Sequence, residues 1–152
     1  NIIVCGAPSS GKTTLVVKLA STLHENFKLR YLDLKLSHSL ADIKKDLKTH
    51  INFPTIIIVD NGHLDYSMSC NLYKICQLYQ NINLVFAIRE ISEKDRVDNQ
   101  TGIDLFSISD KVFYVNPNQN NDEKIFSLIN RKIEDIFQRT GIRPEIGDFN
   151  KV

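Results

Sequence analysis

The chain has 152 residues, 42% hydrophobic and 24% charged, with a formal net charge of +1, the composition of one ordinary soluble globular domain with a substantial core. So balanced a charge supplies no broad field for gripping nucleic acid or an anionic membrane, leaving at most a local patch. No apolar run approaches the length of a membrane span.

The first predicted element is a strand over Ile2 to Cys5, "IIVC". After "GAPSSGKTT", the residues Leu15, Val16, Leu19, Ala20 and Leu23 recur at helical spacing and predict a helix from about Lys12 to Leu23. A second strand, Leu29 to Leu34, carries charge and alternates. Leu40, Ile43 and Leu47 then give the buried stripe of a helix from Ser39 to His50, whose other face bears Lys44, Lys45 and Lys48 and reads as solvated. The third strand runs from Thr55 to Asp60 and is followed by a helix from Asp65 to Gln80. The fourth runs from Leu84 to Ile88, with a short helix near Thr101 to Phe106 after it. A fifth strand, Lys111 to Val115, leads through the polar loop "NPNQNND" (116–122) into a closing helix from Asp122 to Arg139, striped by Ile125, Ile129, Ile133, Ile136 and Phe137. Strands alternating with helices predict an α/β three-layer sandwich on a five-stranded parallel sheet. The first, third and fourth strands are continuously apolar and so central; the second and fifth belong at the edges.

Cys5, Cys70 and Cys76 are odd in number and form no CxxC pair, which points to reduced thiols and a cytoplasmic location. Only six glycines occur in the chain, and two of them, Gly6 and Gly11, frame the stretch between the first strand and the first helix. A loop of that length turns its backbone N–H groups and the unpaired donors of the following helix toward one point, where an anion can sit. Glycine permits the close backbone approach, Lys12 brings an ammonium to terminal phosphates, and the Thr13 hydroxyl is placed to hold magnesium. Gly6, Ala7, Pro8, Ser9, Ser10, Gly11, Lys12 and Thr13 match the Walker A pattern GxxxxGK[ST] residue for residue, so the chain resembles the P-loop NTPases. That resemblance implies binding of Mg2+ and ATP, with ADP after hydrolysis, by Gly6 to Thr13 together with Thr14.

"TIIIVDNGHLD" ends an apolar strand in Asp60 and resembles Walker B, with Asp60 completing the metal site begun by Thr13. Many hydrolytic relatives follow this acid with Asp or Glu, which polarises the attacking water. Here the residue is Asn61, whose amide is no base, so slow hydrolysis is expected. Asp65 is either a substitute acid or a plain helix-starting residue, and His63 either links the site to a lid or partner or has no direct role. In "NLVFAIRE" the residue just past the fourth strand is Arg89, where a fixed positive fork can sense a terminal phosphate.

Together, "GAPSSGKTT", "IIIVDNGHLD" and "LVFAIRE" resemble the signal-transduction ATPases with numerous domains (the STAND class), relatives of the AAA+ ATPases, over about residues 2 to 115. The resemblance implies the strand order 5-1-4-3-2, a catalytic set of Lys12, Asp60 and Arg89, and a nucleotide-controlled switch in signalling or defence. It also implies further domains of a longer chain and a nucleotide-dependent homo-oligomer of the parent. On this reading residues 1–140 are the P-loop core, and 141–152, with Gly141 and Pro144, begin a linker or lid. Two alternatives stay open: a P-loop kinase using Arg131, Arg139 or Arg143 on a lid, and a scaffold that binds nucleotide without turnover.

Overall fold

The computed structural model describes residues 1–49, 52–115 and 122–139. Residues 116–121 of the expected loop 116–122, the end of the second helix at His50, and the segment 141–152 with Arg143 lie outside the described residues.

Five strands, β1 (Ile2–Cys5), β2 (Lys28–Asp33), β3 (Thr55–Asp60), β4 (Ile82–Ile88) and β5 (Lys111–Tyr114), form one all-parallel sheet in the order β2-β3-β4-β1-β5. This is the expected order, and burial follows it. Every residue of β1 and β3 is buried, whereas β2 has none buried and β5 only Phe113. Helices α1 (Lys12–Leu23) and α5 (Asp122–Arg139) cover one face, where Leu15, Val16, Leu19 and Leu23 meet Ile129, Ile133, Ile136 and Phe137. Phe27 stacks on Phe137 with ring centroids 4.7 Å apart. Helices α2 (Leu40–Lys48), α3 (Tyr66–Cys76) and the short α4 (Leu105–Ile108) bury Leu47, Leu72, Cys70, Leu105 and Phe106 against the other face.

Two of the expected helices have other bounds. The carboxylate of Asp65 accepts from the backbone N–H of Met68 at 3.0 Å, so this exposed residue caps α3, which ends at Cys76 rather than Gln80. The short helix starts at Leu105 under an Asp104 cap, because Thr101 is held in a turn by Asp98. A 3-10 turn at Glu93–Asp95, which no hydrophobic period marks, lies between β4 and α4. Cys5, Cys70 and Cys76 are all buried and unpaired, and burial raises the pKa of each thiol. Among the described residues no helix is long and apolar enough to cross a membrane.

Candidate functional site

The carboxyl ends of β1, β3 and β4 open onto a cleft of about 520 Å³ lined by Pro8 to Thr14 from the loop, Asn61 and His63 after β3, and Arg89 after β4, with Lys35 and Leu64 at its margin. The loop's form follows from its small residues. A Cβ on Gly6 would lie 2.6 Å from Ser10 Oγ and 2.8 Å from the carbonyl of Val115, so only glycine fits. Gly11 has φ +91° and Ser9 φ +59°, the left-handed turns that reverse the chain into α1. Within this ring Lys12 Nζ donates to the carbonyls of Gly6 (2.9 Å) and Ala7 (2.6 Å) and to Ser10 Oγ (3.3 Å). Partial burial and then the nearby Arg89 guanidinium lower the pKa of Lys12. An anion in the cleft would act against both effects by favouring the charged ammonium.

The second group assembles around Asp60, which is only 2% exposed. Thr13 Oγ1 donates to Asp60 Oδ1 at 3.2 Å, and the backbone N–H of Asn61 donates to the same oxygen at 2.8 Å. The other oxygen accepts from the Tyr31 hydroxyl at 2.6 Å. Burial and then this bond to Asp60 push the Tyr31 phenol well above its ordinary pKa. Asn61 takes a left-handed φ of +55°, which asparagine tolerates better than most residues. Its Nδ2 donates to Asp33 Oδ1 at 2.8 Å; a carboxylate only accepts, so the amide nitrogen must face it. That bond is possible because Asp33 and Asp60 are directly paired in the β2–β3 register.

The structure therefore brings together the predicted loop residues, Asp60 and Arg89, and adds Tyr31 and Asp33 from β2 and Lys35 from the turn after it. The overlooked signal was "RYLD" itself: Tyr31 and Asp33 are two apart, hence on one side of a strand that ends beside Asp60. The oxygens of Thr13 and Asp60 suit magnesium, a hard ion that takes few protein ligands and completes its shell with water and phosphate. Among the described residues no cluster of three His, Cys, Asp or Glu offers a site for any other metal.

A parallel sheet in this order, with a glycine loop leaving a central strand into the first helix and an acid at the tip of the strand next but one, is an α/β fold of P-loop type. The fold is similar to that of PCH-2 from C. elegans, with a TM-score of 0.54 and 16% sequence identity over 92% of this chain and 41% of that one. The likeness is one of fold, and the chain spans about two fifths of the length of that protein. No family model matches the chain, and no curated protein matches it.

Proposed function

We propose that this domain binds Mg-ATP through Gly6 to Thr14 and acts as a slow, nucleotide-controlled switch within a larger protein of signalling or defence, as in the STAND class its motifs resemble. One observation carries the reading: Thr13 Oγ1 and Asp60 Oδ1 meet at 3.2 Å beside a loop whose lysine is held by the loop's own carbonyls. Thr13 and Asp60 would hold the magnesium, whose bound form neutralises phosphate charge. Lys12 would exchange two carbonyls for phosphate oxygens, a stronger charge-assisted contact. Arg89 lines the same cleft and is the residue offered to the terminal phosphate.

Slow turnover is supported by Asn61, which stands where a water-activating acid would and has its amide committed to Asp33. The same bond favours a second reading, a scaffold that binds nucleotide without hydrolysing it. The kinase reading has less support, because Arg131 and Arg139 are exposed on α5 and neither lines the cleft. In the switch reading residues 1–140 are the core, 141–152 lead to a lid or further domain, and the assembly of the parent changes with nucleotide.

Calorimetric titration of ATP with magnesium and with chelator tests the site: affinity should depend on magnesium, and its absence in both conditions would overturn the proposal. Labelled ATP then separates the readings, since slow release of free phosphate supports the switch, a phosphorylated acceptor the kinase, and bound nucleotide alone the scaffold.

A further inference from the structure

Three contacts fix the point at which β4 releases the chain into the cleft. Gly6 N–H donates to the Ile88 carbonyl at 3.3 Å, Gly62 N–H donates to the Ala87 carbonyl at 3.0 Å, and Arg89 N–H donates to His63 Nδ1 at 3.4 Å. The first two are backbone bonds that need no particular side chain. The third requires an acceptor at that one place. Gly62 sets the position from which His63 departs: a Cβ there would come within 3.0 Å of Ile88 Cγ1 and of Ser69 Oγ, and that hydroxyl donates to the Gly62 carbonyl at 3.0 Å.

His63 can accept at Nδ1 only while its ring is neutral, because an imidazolium donates from both nitrogens. Its surroundings favour that neutral form. Burial lowers its pKa, as do Arg89, Lys12 and Lys35, and only Asp60 opposes them. With Nδ1 accepting, the proton resides on Nε2, which is buried and has no hydrogen-bond partner among the described residues. An apolar side chain would fill the space without stranding a donor, so the contact to Arg89 is what the imidazole contributes.

We infer that His63 is a positioning residue for Arg89, tying the exit of β4 to the exit of β3 and so setting how well the site tells a nucleoside triphosphate from a diphosphate. The inference rests on Arg89 reading the terminal phosphate, as proposed above. A guanidinium whose backbone is held at the rim meets the terminal phosphate at little ordering cost. One released from His63 must be ordered each time the triphosphate binds.

The test is calorimetry with Mg-ATP and Mg-ADP at neutral pH on wild type, His63→Leu and His63→Asn, each checked for folding by thermal melt. His63→Leu should cut the ATP-to-ADP affinity ratio about threefold to tenfold, the worth of one hydrogen bond, with ADP affinity little changed. His63→Asn puts an amide oxygen near the place of Nδ1 and should restore the ratio. In an Arg89→Ala background, His63→Leu should have no further effect on the ratio. A wild-type ratio in His63→Leu, or failure of the asparagine to rescue, overturns the inference and leaves the nucleotide site standing. Wild type that binds no nucleotide, or does not prefer ATP, overturns the underlying reading and this inference with it.

Discussion

Thr13 and Asp60 stand 47 positions apart in the chain, yet the hydroxyl of one donates to the carboxylate of the other at 3.2 Å. Their meeting depends on β4 lying between β1 and β3, which sets the start of α1 across from the tip of β3. Thr13→Val deletes the oxygen while keeping the side chain's shape. The magnesium-dependent gain in ATP affinity should shrink about tenfold, with binding in chelator unchanged, when both are read by calorimetry.

Lys12→Ala removes the ammonium that now bridges the carbonyls of Gly6 and Ala7. Nucleotide affinity should fall about tenfold to a hundredfold, the worth of a charge-assisted contact. The thermal midpoint should stay near that of wild type, because the lost bonds belong to a loop facing the cleft. Unchanged affinity in the folded variant would remove the loop from the site.

Arg89→Ala should weaken ATP binding more than ADP binding, since only the triphosphate carries the oxygens it would reach. Equal losses for ATP and ADP would make Arg89 a loop residue with no sensing role.

Tyr31→Phe takes the donor from an oxygen of Asp60, a carboxylate with 2% exposure. Chemical denaturation should report a loss of about 1 kcal/mol, the usual worth of one hydrogen bond at a partly exposed donor. No change would mean that water takes the place of the phenol.

Asp33 makes a prediction about acid. The backbone N–H of Lys35 and then the amide of Asn61 hold its carboxyl below the ordinary value of 3.8. A depressed folded-state pKa means that the stabilisation is fully present above the ordinary value and is lost as pH falls through the folded one. Denaturation midpoints of wild type should therefore decline from about pH 4 downward. Asp33→Asn should be less stable at neutral pH and converge with wild type in acid; parallel curves would detach Asp33 from the site.

By itself the sequence determined the elements that rest on neighbours along the chain. The loop from Gly6 to Thr13 was legible because its fold depends on its own small residues, and the division of the sheet into central and edge strands because apolar runs such as "TIIIVD" need cover on both faces while "RYLD" does not; the full strand order came from the resemblance. Asp60 and Arg89 were legible as strand-end residues, since a parallel sheet sends all its carboxyl ends to one side. Only the tertiary structure decided what surrounds them. Tyr31 on Asp60, Asp33 on Asn61 and His63 on Arg89 are pairings between separate strands and their exits, set by register and by hydrogen-bond direction. Such pairings leave no period in the sequence. A shift of one residue between β2 and β3 would turn Tyr31 and Asp33 to the opposite face and erase two of them without altering a single hydrophobic pattern.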